Sequence, residues 1–260
     1  MTAPNFFILG AQKAGTTYLA KVLSLHPEVF FSEPKELMFF SKADIDQTDF
    51  RTYKDEYFSG TRGEKWVGEG STTYLQWPDA LDNLKAHIEG TPKFIVCLRQ
   101  PTEKAISFFI HNWRRNRYEP GTTLTQTLDM KLGLSPLHTS LYAPSIKRWL
   151  KAYPRENFCF MKFDHLQAAP DRFVRKATDF LGIAPSSDIP NKLINAGLPL
   201  IWEDGKLTIA SKIDKDQTRP VFTLEELEAL HDRFQDDIKE TAELTGLPLV
   251  NWAKLPQFAS

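Results

Sequence analysis

The stretch Gly10-Ala-Gln-Lys13-Ala-Gly15-Thr16-Thr17 has the residue types and spacing that most plainly point to chemistry. Glycines let backbone N–H groups turn inward around an anion, and a helix start adds its partial positive charge. The spacing of Gly10 to Gly15, with Thr17 beyond, matches a nucleotide-binding P-loop. In that motif a lysine directly follows the second glycine and reaches the β/γ-phosphates, and the next Ser or Thr holds magnesium. Here Thr16 stands in the lysine's place, and the lysine, Lys13, lies inside the loop. A lysine there suits a shorter group, a single phosphate carrying one further anionic leaving unit. Two other readings stay open: a strand–helix turn with an incidental lysine, and a magnesium-nucleotide site. The second lacks its lysine, and no apolar strand ends in an Asp suited to the metal.

Such a loop must be held between a strand and a helix. Asn5–Gly10 is a continuous apolar run that predicts a strand buried on both faces of a parallel sheet. Thr16–Leu25 follows with helical spacing and stops before His26-Pro27. Further strands are predicted at Val29–Phe31, Lys65–Gly68 leading into Glu69, Lys93–Leu98 and Phe158–Phe163. Helices are predicted at Asp79–His87, from Pro101 to Trp113, at Pro144–Ala152, and at Pro170–Leu181 closed by Gly182. The polar residues 116–140 predict loop with short helical pieces, and residues 184–222 an irregular segment. Thr223-Leu-Glu-Glu226 is a capping box for one helix ending near Thr245-Gly246. Strands alternating with helices imply an α/β fold with ligands at the strand C-terminal ends.

The 260 residues suit one sizeable domain, and the net charge of -1 argues against a nucleic-acid binder. No apolar run approaches the ~20 residues of a membrane span, and no leader precedes the first strand, so a cytoplasmic protein is expected. Cys97 and Cys159 lie inside strand-like runs and read as buried free thiols in a reducing compartment. The six histidines show no close pairing with a Cys or a second His, so no metal site is expected. Oligomeric state is not legible.

Five segments in order carry a resemblance: FFILGAQKAGTTYL, SEPKELMFF at Ser32–Phe40, WVGEGSTTYL at Trp66–Leu75, CLRQPTEKAISFFIH at Cys97–His111, and LYAPSIKRWLKAYPRENFCFMKFDHL. Together they resemble the PAPS-dependent sulfotransferase family, especially its heparan-sulfate N-sulfotransferase-like and bacterial members. The resemblance covers most of residues 5–182 and is looser beyond, mainly at Ala210-Ser211-Lys212. It implies a P-loop-like three-layer fold, a central mainly parallel sheet flanked by helices. It also implies a single sulfotransferase domain over residues 1–260, with the 184–222 segment covering the active site.

The activity implied is in-line transfer of the sulfuryl group from PAPS, without metal. The acceptor would be a hydroxyl, less readily an amine, of a glycan, a lipid-like alcohol or a small metabolite. Gln12, Lys13, Ala14, Gly15, Thr16 and Thr17 would hold the 5′-phosphosulfate, with Lys13 neutralising the leaving oxygen. Arg99 and Ser107 would bind the 3′-phosphate, with Arg219 a weaker candidate. Glu69 would be the general base, Lys212 a second lysine near the sulfuryl group, and Lys35, Glu36, Tyr74 and His111 the border of the acceptor cleft. The rival readings are a P-loop small-molecule kinase and a non-catalytic protein that binds the adenosine bisphosphate.

Overall fold

A computed structural model describes residues 2–185, 198–210 and 219–258. In chain order its elements are β1 (Phe6–Gly10), α1 (Thr16–Leu23), β2 (Val29–Phe31), α2 (Gln47–Phe58), β3 (Trp66–Gly70), α3 (Pro78–His87) and β4 (Lys93–Leu98). They continue with α4 (Pro101–Arg114), α5 (Leu124–Thr127), α6 (Ala143–Ala152), β5 (Phe158–Lys162), α7 (Phe163–Ala168) and α8 (Pro170–Leu181). The last are β6 (Leu200–Glu203), β7 (Lys206–Ile209), β8 (Val221–Thr223), α9 (Leu224–Asp232) and α10 (Gln235–Thr245). Contacts divide the chain into two compact units, Met1–Arg99 with Ser145–Asn195, and Gln100–Pro144 with Ala196–Ser260.

The first unit is built on a 5-stranded sheet of order β2-β3-β1-β4-β5, every pairing parallel. Its inner strands are covered on both faces, so FFILG and KFIVCL are apolar almost throughout. Phenylalanine fills these faces: Phe94 packs with Phe7, Trp149, Tyr153 and Phe158 at centroid distances of 4.8 to 6.2 Å. Gly68, opposite Phe6, has no room for a side chain because the Phe6 ring lies over it. From β1 the chain crosses towards β2 and β3, whereas from β4 it crosses to β5. The loops after β1 and β4 therefore part at the sheet's switch point, where open α/β sheets place their ligands.

The second unit holds α4, which starts at Pro101 with Gln100 as its cap, the Gln100 side chain accepting from Glu103 N–H. The buried Lys104 donates to the Thr139 carbonyl and to Ser140 Oγ at 3.3 Å, so its charge is met by oxygen dipoles. Asp237 accepts the N–H groups of Tyr142 and Ala143 at 2.9 and 2.8 Å.

Two expectations fail in this unit. Part of the 184–222 segment read as irregular is a 3-stranded antiparallel sheet, β6-β7-β8. Its hairpin turns at Asp204-Gly205 with φ of 48 and 72, the left-handed pair that a tight two-residue turn requires. The helix expected from Thr223 to Thr245 is two helices, broken between Asp232 and Gln235, although the Thr223–Glu226 capping box is present. No helix among the described residues is long and apolar enough to cross a membrane.

Candidate active site

The loop after β1 is tied on both sides. Ala11 N–H donates to the Cys97 carbonyl of β4 at 2.6 Å, and Leu75 N–H to the Leu9 carbonyl at 2.9 Å. Gly15 is the N-cap of α1, with φ 81 and no side chain to satisfy the first-turn N–H groups. A Cβ there would lie 2.5 Å from Leu166 and 3.1 Å from Phe163, so only glycine fits. The helix start thus presents uncapped donors and its positive dipole end to whatever lies in the loop. Thr16 is buried, and Gln12, Lys13 and Thr17 are half-buried; Ala14 is buried beneath them. Gln12 Oε1 is buried with no protein partner, which suits an amide meant for a ligand.

Arg99, at the end of β4, reaches the same loop. Its Nη1 donates to the Lys13 carbonyl at 3.4 Å, and its guanidinium lies 4.8 Å from the centroid of Phe163. Phe163 also packs against Gly15. One ring therefore links the cradle to the arginine, and Lys13, Gly15, Thr16 and Arg99 come together. The residues present fit a phosphosulfate with a further phosphate nearby: a cradle that excludes a Cβ, uncapped helix donors and a fork-shaped cation.

Other predicted site residues, Ser107 and Arg219 for the donor and His111 for the acceptor, belong to the second unit. Ser107 and His111 are half-buried on α4 in the second unit. Arg219, in that unit too, pairs with Glu203 at 3.3 Å on an exposed strand. Lys212 and its neighbour Ser211 lie outside the described residues.

A second cluster closes the ends of β2 and β3. Glu36 N–H donates to the Gly70 carbonyl at 3.0 Å, Met38 N–H to Ser71 Oγ at 2.8 Å, and Phe40 N–H to the Tyr74 hydroxyl at 3.2 Å. The Glu36 carboxylate takes the Thr72 N–H and hydroxyl at 2.8 and 2.9 Å, and its other oxygen pairs with Lys35. Its side chain is 35% exposed and that of Lys35 15%.

Glu69 is placed otherwise than expected. It has 0% exposure and is enclosed by Ser71, Tyr53 and Tyr74. Burial pushes its carboxyl up from 4.5 to about 7, against hydrogen bonds from Ser71, Tyr74 and Tyr53 that favour the ionised form, while the Glu36 charge adds to the rise. A carboxylate with no accessible surface cannot meet an acceptor, so the reading of Glu69 as the base is corrected. Tyr74 is corrected for the same reason: it is fully buried, and its hydroxyl serves Phe40 and Glu69 rather than a cleft.

A signal that sequence alone does not carry picks out both clusters. Among the described residues, the non-glycine positions with left-handed backbone are Lys13, Glu36, Met38, Asp44, Asn116 and Asp204. Asn and Asp tolerate that conformation, but Lys, Glu and Met do so at a cost, and such residues concentrate at functional sites. All of the costly ones fall in these two loops.

The chain matches the sulfotransferase domain family over residues 3–196. It is 28% identical over 190 residues to the human heparan sulfate glucosamine 3-O-sulfotransferase 6, covering 69% of this chain and 52% of that protein. It is 23% identical over 276 residues to the Mus musculus bifunctional heparan sulfate N-deacetylase/N-sulfotransferase 3, covering 96% of this chain and 31% of that protein. The chain thus spans only part of the length of these relatives. Among solved structures it superposes on a sulfotransferase from Alicyclobacillus acidocaldarius with a TM-score of 0.75 and 25% identity, over 98% of this chain and 100% of that one. A mouse sulfotransferase complexed with PAP shares the fold at a TM-score of 0.59 and 16% identity, over 96% of this chain and 88% of that one. With its parallel sheet, its switch-point anion cradle and this match, the chain belongs to the sulfotransferase domain family, a family of transferase enzymes.

Proposed function

We propose that this chain transfers the sulfuryl group of PAPS to a carbohydrate acceptor, at a hydroxyl or an amine. The observation that carries the reading is the cradle of residues 10–17, where Gly15 admits no side chain and Lys13 stands inside the loop. Loop N–H groups, Thr16 and Thr17 hold the 5′-phosphate, and Lys13 offsets the negative charge that builds on the departing phosphate oxygen. Arg99 binds the 3′-phosphate with its planar fork.

The acceptor must lose a proton as its oxygen or nitrogen attacks sulfur. Glu36 is the carboxylate suited to receive it: partly exposed, at the end of the sheet, and oriented by Thr72. Lys35 pairs with it and borders the acceptor. The carbohydrate assignment follows from the heparan sulfate relatives named above.

The experiment is incubation with sulfur-labelled PAPS and two acceptors, a de-N-sulfated heparan polysaccharide and a simple sugar alcohol. Label is expected in the polysaccharide, and it should disappear with Glu36→Gln. Label in neither acceptor, with PAP bound normally, would reject the carbohydrate acceptor. Failure to bind PAP would reject the donor.

A further inference from the structure

We infer that Glu69 is a positioning residue for the acceptor side of the site, a buried carboxylate that sets the backbone course of residues 36–40 and so the place of Glu36. The inference rests on Glu36 as the group that faces the acceptor.

Alternate residues of this segment hang from three acceptors: Glu36 N–H on the Gly70 carbonyl, Met38 N–H on Ser71 Oγ, and Phe40 N–H on the Tyr74 hydroxyl. The first acceptor is backbone and points one way. The other two are hydroxyls, which rotate and can turn a proton as readily as a lone pair towards an N–H. Glu69 removes that freedom. It takes the Ser71 proton on Oε1 at 2.5 Å and the Tyr74 proton on its carboxylate, so the lone pairs of both hydroxyls are turned to Met38 and Phe40. Tyr53 of α2 donates to Oε2 at 3.3 Å and holds the carboxylate from the other side.

This constraint has a strain to oppose. Glu36 and Met38 have φ of 69 and 52, a left-handed conformation that side chains of these types adopt only at a cost. Residues that would otherwise relax to negative φ are held by acceptors whose direction Glu69 dictates. Burial, set against the hydrogen bonds, raises the Glu69 carboxyl to about 7, and the Glu36 charge adds to the rise. The pair is therefore coupled in charge as well as in geometry.

The test is amide hydrogen exchange over residues 36–40 in the full chain, for wild type, Glu69→Gln, Glu69→Ala and Ser71→Ala. It runs beside PAP titration and transfer to the de-N-sulfated polysaccharide. Glu69→Ala should speed exchange at Met38 and Phe40 by about tenfold, the loss of one hydrogen bond's worth of protection. Exchange in residues 10–15 and PAP affinity should not move. Turnover should fall by about tenfold in Glu69→Ala and recover to within about threefold in the isosteric Glu69→Gln, which keeps an acceptor for Ser71.

Unchanged exchange at Met38 and Phe40 in Glu69→Ala would overturn the inference. If that variant does not fold, unchanged Met38 exchange in Ser71→Ala, with full turnover, would do the same. Glu69→Gln abolishing transfer as fully as Glu36→Gln, with exchange unmoved, would make Glu69 the base itself and also overturn it. A wild type that fails to bind PAP or to label the polysaccharide would sink the donor or acceptor reading while leaving the exchange result to decide this one.

Discussion

The cradle of residues 10–15 and the segment of residues 35–40 both end strands of one sheet, yet they are built from different materials. The cradle is backbone: Gly15 has no side chain, the first-turn N–H groups of α1 are uncapped, and its flanks are fixed by main-chain bonds with Cys97 and Leu75. The 35–40 segment is held by side chains from distant positions, Ser71, Thr72 and Tyr74, with a buried carboxylate beneath them. A backbone cradle would suit a group common to a whole family, the phosphate with an anionic leaving unit proposed above. A side-chain lattice can be altered one residue at a time, and that is where an acceptor would be chosen.

The comparison breaks most sharply at Glu36. Glu36→Gln should lower turnover by about 10²–10⁴-fold with PAP affinity unchanged, as loss of a general base does. Steady-state transfer alongside PAP titration reads both. Next, Lys13→Ala should lower turnover by about 10²–10³-fold, the cost of removing one charge-stabilising group. Binding of PAP, which lacks the sulfuryl group, should suffer far less than turnover. An equal loss in both would make Lys13 a binding residue only.

Gly15→Ala acts on the cradle itself. Its Cβ would overlap Leu166 at a left-handed φ, and denaturant unfolding should report a loss of about 1–3 kcal/mol together with weakened PAP binding. No substitution in the 35–40 segment should weaken PAP binding in this way.

The smallest effect is a pH dependence. The Glu69 carboxyl is raised from 4.5 to about 7 in the folded chain. Between those values the native state keeps a proton that the unfolded chain has lost, so this group's contribution to stability falls as pH rises through that window. Glu69→Gln removes the titration. Thermal unfolding from pH 5 to 8 should show the variant gaining on wild type by an amount on the order of 2 kcal/mol. A constant difference across that range would mean that Glu69 does not titrate there.

The same contrast governs what the sequence could tell. NFFILG, KFIVCL and the Gly10–Gly15 spacing are local patterns, and the strands, the loop and α1 stand where the patterns put them. Lys13 and Arg99, which the structure brings to one loop, could be singled out because a cation beside an anion loop or after a strand is visible in one stretch of chain. Glu69 was read as the base because an apolar run leads into it, and its complete burial inside β3 is not legible in that run. That burial comes from α2, whose Tyr53 closes over Glu69. α2 itself was not predicted, since only Phe50, Tyr53 and Phe58 of its residues are buried, although Asp46 and Asp49 form its capping box. The hairpin at Asp204-Gly205 had a legible turn, which the surrounding Pro, Gly and Lys obscured.

The measurement that bears most directly on the donor is calorimetric titration with PAP in a metal chelator, beside ATP with magnesium. PAP should bind without metal, and Arg99→Ala should weaken PAP strongly but adenosine 5′-phosphate, which lacks the 3′-phosphate, little. Binding of magnesium ATP with none of PAP would contradict this.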